Sequence, residues 1–100
     1  MPELIPNEKF ASDLERIKSN KVLVKKVAKC LHFLEQNPSY SGLNLERIVN
    51  DPTAWSARVD KKYRLSFEPS AYCESGAPDW TQSIRLLRVL DHDDLYKNPH

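Results

Sequence analysis

The sequence predicts a single α+β domain over residues 1–100, with a two-helix hairpin packed on a small antiparallel sheet in the order β-α-α-β-β-β. Three observations carry this. Residues 8–36 hold two amphipathic runs at helical spacing; residues 55–68 alternate apolar and polar in two runs split by a charged turn; residues 83–90 are apolar on both faces. Helices covering one face of a sheet built from hairpins give two layers around one core.

Leu4 and Ile5, bounded by prolines, suit a brief edge strand. Asn7 or Ser12 can cap the first helix, with Phe10, Leu14 and Ile17 on its apolar face and Lys9, Asp13, Glu15, Arg16 and Lys18 on the wet one. The second helix spans 21–36. Val24, Val27, Leu31 and Leu34 form its stripe, widened by Leu23 and Cys30, while Lys25, Lys26 and Lys29 read as a solvated face. Asn37-Pro38 stops it, and the short link between the two runs predicts an antiparallel hairpin of helices. Residues 38–53 read as a loop anchored by Leu43, Leu45 and Ile48.

Trp55, Ala57 and Val59 alternate with Ser56, Arg58 and Asp60; Tyr63, Leu65 and Phe67 alternate with Arg64, Ser66 and Glu68. Asp60-Lys61-Lys62 turns the chain between these two strands. Pro69, Gly76 and Pro78 mark 69–81 as a long surface loop. The run from Ser83 to Leu90 is a central strand, covered on one side by the helices and on the other by something else, and 91–100 is a short polar tail.

Hydrophobic residues make up 40% of the chain and only two residues are Gly, which suits a folded domain rather than a disordered tail. A net charge of +1 does not mark a nucleic-acid binder, so any such case rests on local clustering. Cys30 and Cys73 have no paired spacing, which fits the cytoplasm, and Cys30 reads as a small core residue. The first residues lack the basic and apolar segments of a signal peptide, and no run approaches the length needed to span a membrane.

Three places can hold chemistry. In Arg58-Val59-Asp60-Lys61-Lys62-Tyr63-Arg64, four cations stand against one acid, and Arg58 with Arg64 can face the same way and clamp a phosphate. The competing reading is a solvated hairpin with edge-protecting lysines. In Asp91-His92-Asp93-Asp94-Leu95-Tyr96, His92 can act as acid or base and Tyr96 can stack on a base; the competing reading is a helix cap or solvated tail. The acidic run makes a poor metal site, because consecutive strand residues point in opposite directions. In Asn44-Leu45-Glu46-Arg47, Glu46 is either a general base or a surface acid.

The hairpin Trp55–Phe67 resembles the "W-S-x-R-V-x-x-x-Y-R-L-x-F" hairpin of RelE/ParE-superfamily toxins, and Leu86–Tyr96 resembles their last strand and "H-D-D-L-Y" end. Leu34–Pro38 matches the end of their second helix, and the similarity runs over residues 8–97. The resemblance, nearest to the RelE/YoeB/YafQ branch, implies a type II toxin that cleaves mRNA, on the ribosome or free. Cleavage would proceed without metal or cofactor, by attack of the 2′-hydroxyl on the adjacent phosphate. By position, Arg64 would stabilise the phosphate, His92 would be the general acid, Tyr96 would hold substrate and Glu46 would be the base. Arg47, Arg58, Lys61 and Lys62 would contact the RNA backbone. The implied partners are a cognate antitoxin, mRNA and the ribosome, with no membrane. Two other readings stay open: a ParE-like toxin directed at DNA gyrase, and a non-catalytic relative that only binds its antitoxin.

Overall fold

A computed structural model describes residues 3–37, 40–48, 51 and 53–100. The chain runs β1 (Leu4–Pro6), α1 (Glu8–Ile17), α2 (Lys21–Gln36), a single 3₁₀ turn at Ser41–Leu43, β2 (Glu46–Arg47), β3 (Trp55–Arg58), β4 (Tyr63–Pro69), β5 (Ile84–Asp91) and α3 (His92–Lys97). The strands form one sheet in the order β1-β5-β4-β3-β2.

The expected α+β architecture is present, with three differences. The sheet is mixed rather than antiparallel: β1 lies parallel to β5, because the two helices carry the chain away before β5 returns beside it. A two-residue strand, β2, pairs antiparallel with β3 inside the expected loop. The polar tail forms α3, capped by the Asp91 carboxylate, which accepts from Asp94 N–H at 3.0 Å.

Asn7 caps α1 by accepting from Phe10 N–H, and Asn20 caps α2 by accepting from Leu23 N–H. Phe10 of α1 and Leu23, Val27, Cys30 and Leu34 of α2 bury against Ala57, Leu65, Phe67, Ile84, Leu86 and Val89 of the sheet. The buried stripe of α2 therefore starts at Leu23; Val24 and Leu31 are only partly covered. Burial pushes the Cys30 thiol up to about 12, so it sits in the core as an inert small hydrophobe. Leu43 and Ile48 are buried, as expected of loop anchors. The loop expected at 69–81 spans 70–83, since Pro69 still pairs in β4 and β5 starts at Ile84, and it is pinched by a bridge between Tyr72 and Pro78.

The two-sided apolarity of β5 has a local cause. Ser66 pairs with Arg88 and Phe67 with Leu86, which leaves Leu87 as an extra residue, a β-bulge. Leu86 and Val89 face the helices, while Leu87 packs with Ile48 and Ala54 in a second small core. The other covering of β5 is thus the segment before β3, together with α3.

Asp13 departs from its expected place on the wet face of α1. It is 1% exposed. β1 pairs with β5 only from Ile84 to Leu86, and α1 lies along the edge beyond. There the Asp13 carboxylate accepts from Val89 N–H at 3.1 Å and takes the Arg88 guanidinium in two bonds, at 2.7 and 3.0 Å. An otherwise open strand edge is thereby closed by a side chain.

Candidate functional site on the α3 face of the sheet

The register fixes which side chains share a face. Glu46 of β2 pairs with Ser56 of β3, and Ser56 pairs with Ser66 of β4. One step along the hairpin, Arg58 pairs with Arg64. Directly opposed residues leave an antiparallel sheet on the same side, so these five share one face. That face is the one α3 covers.

Tyr96 of α3 reaches down to the row. Its hydroxyl donates to the Glu46 carboxylate, and Ser56 Oγ lies 3.2 Å from the same hydroxyl. Burial first, and then the Glu46 carboxylate, push the Tyr96 phenol up from its ordinary value, against the smaller opposing pulls of Ser56 and the Arg64 guanidinium. The phenol therefore stays protonated and stays a donor.

His92, at the first position of α3, stacks on Tyr96 with ring centroids 4.4 Å apart and planes at 26°. The four-residue spacing places both rings on one side of a helical turn. Its Nδ1 lies 3.4 Å from the Asp93 carboxylate, and its backbone N–H donates to the Lys62 carbonyl at 2.7 Å. The hairpin turn therefore fixes the start of α3. Asp60 closes that turn, accepting from the N–H groups of Lys62 and Tyr63. Burial alone would raise the Asp60 carboxyl, but these two donors and the Lys26 ammonium together hold it below its ordinary value.

Arg64 is half-buried, and its buried Nε has no hydrogen-bond partner among the described residues. A buried cationic donor left unpaired is costly, and an incoming anion would relieve it.

The structure thus brings Glu46, Arg64, His92 and Tyr96 together. Arg58 joins them by register, and Lys61 and Lys62 stand exposed at the turn between. Arg47 lies elsewhere: it pairs with Trp55, so it leaves the sheet on the face opposite to Glu46. The motifs did not mark Ser56 or Ser66 as site residues, whereas Asp91 takes the helix-cap role that was the competing reading of its segment. The row of small polar residues facing Glu46 was visible in the alternation of the hairpin, but the partner that gives it meaning, α3, was not. Asp91 and the acids after it are committed to the start of α3, and among the described residues no three His, Cys, Asp or Glu side chains cluster closely enough to hold a metal ion.

No protein-family model and no curated protein sequence matches the chain. Solved structures do. A YoeB/ParE toxin from Agrobacterium tumefaciens aligns over 90% of this chain and 98% of its own, at 15% identity and a TM-score of 0.68. The E. coli DinJ–YafQ toxin–antitoxin complex aligns over 94% and 96%, at 11% identity and a TM-score of 0.70. The YoeB dimer from Staphylococcus aureus aligns over 87% and 92%, at 18% identity and a TM-score of 0.64.

Proposed function

For a chain with the fold of the RelE/ParE-type toxins, we propose the role of a type II toxin that cleaves mRNA by metal-independent transesterification. The observation that carries this reading is the convergence of a carboxylate, a guanidinium with an unpaired Nε, an imidazole and a phenol on one sheet face, from three separate elements. A solvated hairpin and a loose tail have no reason to build it.

RNA carries its own nucleophile, so the protein needs only to orient the strand, move two protons and stabilise charge. Glu46 takes the proton of the 2′-hydroxyl as it attacks the adjacent phosphorus. The Arg64 guanidinium neutralises the charge gathering on the phosphoryl oxygens, and Arg58, its cross-strand partner at the edge, meets the RNA backbone. His92 gives a proton to the departing 5′-oxygen, leaving a 2′,3′-cyclic phosphate and a 5′-hydroxyl. Tyr96 holds the Glu46 carboxylate in place and presents the ring on which His92 rests. Lys61 and Lys62 meet the RNA backbone at the exposed turn, and Arg47, on the other face, meets it only if the strand wraps the β2 edge.

Among the described residues no helix is long and apolar enough to cross a membrane. A cytoplasmic site of action, with mRNA and the ribosome as targets and an antitoxin as inhibitor, is part of the same proposal; the DinJ–YafQ complex supports the last of these partners.

The test is to add the purified chain, and its Arg64→Ala variant, to a translation extract and to naked mRNA, and to map new RNA ends. The wild type produces discrete new ends and Arg64→Ala does not, at equal folded concentration. Growth arrest with intact mRNA and inhibited gyrase would replace this reading with the gyrase-directed one.

A further inference from the structure

Away from the Glu46–Tyr96 face, a cleft of about 300 Å³ opens between α2, the turn at 40–43 and the β3–β4 hairpin. Lys26, Lys29 and Phe33 of α2 line it, with Tyr40, Arg58 and Asp60. The rings of Phe33 and Tyr40 stack with centroids 4.3 Å apart and planes at 16°. Gly42 permits this arrangement: a Cβ there would lie 2.4 Å from Tyr40 Cε2. The aromatic pair is therefore built into the backbone path of the turn.

The charged groups of the cleft are unbalanced. Lys26 lies 3.7 Å from Asp60, whereas Lys29 and Arg58 have no carboxylate partner among the described residues. From Lys29 the cationic face runs back along α2 through Lys25 to Lys21, all exposed and spaced about 6 Å apart along the axis, with no acid between them. In the other direction, Arg58 is the cross-strand partner of Arg64. Among the described residues β2 pairs with β3 only at Trp55 and Ser56, so β3 is an open edge at Arg58. The cations thus form a path around that edge, from the cleft to the face that holds Tyr96.

We infer that this cleft seats a nucleotide of single-stranded RNA flanking the one to be cut, its phosphate on Lys29 and Arg58 and its base against the Phe33–Tyr40 wall. The inference rests on the nuclease reading and extends it to a second subsite. Unpaired cations beside stacked aromatic rings are the chemistry that single strands need, because every base has a flat face and every linkage a charge. The volume exceeds the needs of one acidic side chain and lies at the small end of sites for whole ligands. An acidic peptide would answer the cations but gives the paired rings no purpose.

The test uses the full chain and a short fluorescein-labelled RNA with 2′-O-methyl sugars, which cannot be cut. Fluorescence anisotropy across a salt series gives the affinity and its salt slope. Lys29→Gln, an exposed change, is expected to weaken binding several-fold and to flatten the slope by about one. In the wild type, the amide resonances of Phe33 and of residues 40–43 shift on addition of the RNA. Unchanged affinity and slope in Lys29→Gln, with those amides unmoved, would overturn the subsite. So would an acidic peptide that moves the same amides when the RNA does not, which would assign the cleft to a protein partner. The probe reads binding alone. A chain that shows the Lys29 effect but cuts no RNA defeats the nuclease reading, and one that cuts RNA without the Lys29 effect defeats the cleft.

Discussion

Ser56 and Ser66 face one another across β3 and β4, both buried, and each holds a different part of the C-terminal segment. Ser56 Oγ lies 3.2 Å from the Tyr96 hydroxyl, and Ser66 Oγ donates to the Pro99 carbonyl at 2.6 Å. Two small buried polar side chains thus pin the C-terminal segment at Tyr96 and three residues beyond it, while the Lys62 carbonyl holds its start at His92.

Ser66→Ala removes the donor and leaves a covered carbonyl without one. The expected cost is about 1–2 kcal/mol, seen as a fall in Tm of roughly 4–8 °C for each kcal/mol in a domain of this size. Thermal unfolding followed by circular dichroism checks this; an unchanged Tm would mean that Pro99 is held by other contacts.

Asp13→Ala should be more damaging. It strands the Arg88 guanidinium, which is 14% exposed, and reopens the edge at Val89. Removing one partner of such a pair costs about 3 kcal/mol or more. Asp13→Asn, which keeps an acceptor for Val89 N–H, should fall between wild type and alanine in urea midpoint. Equal midpoints for all three would show that the carboxylate does not close the strand edge.

Asp60 sets an acid limit. Its folded carboxyl titrates below its ordinary 3.8. A depressed carboxyl contributes stability that is complete above the unfolded value and is lost as pH falls through the folded one. The Asp60-dependent loss therefore lies below about pH 4. Urea midpoints at pH 7 and pH 3 should differ less in Asp60→Asn than in wild type, with the variant the weaker of the two at pH 7. An identical pH dependence would remove Asp60 from the account of the hairpin.

The hairpin was legible because its alternation is unbroken: Trp55, Ala57, Leu65 and Phe67 point to the core, and Arg58 falls opposite Arg64 as the spacing of the turn requires. Asp13 was not legible, because a helical wheel shows which face a residue takes but not that a strand edge will need an acceptor there. β2 is two residues long, too short for a period-two signal. α3 spans only six residues, too few for a helical stripe, though Asp91 as cap, acids in the first turn and Lys97 in the last are start and stop signals in hindsight. Among the candidate site residues, Arg64, His92 and Tyr96 are carried by the motif. The Glu46–Tyr96 bond, which joins residues fifty positions apart, needed the fold.

The central claim is metal-independent cleavage with His92 as proton donor. The measurement that addresses it most directly is the single-turnover rate of RNA cleavage by wild type and His92→Gln, with chemical analysis of the new ends. Glutamine keeps a hydrogen bond and roughly the size of the ring but cannot act as an acid. The account predicts 2′,3′-cyclic phosphate and 5′-hydroxyl ends, and a rate lower by about 10²–10⁴-fold in the variant, with RNA binding little changed. Cleavage by His92→Gln at the wild-type rate, or ends carrying a 5′-phosphate, would contradict it.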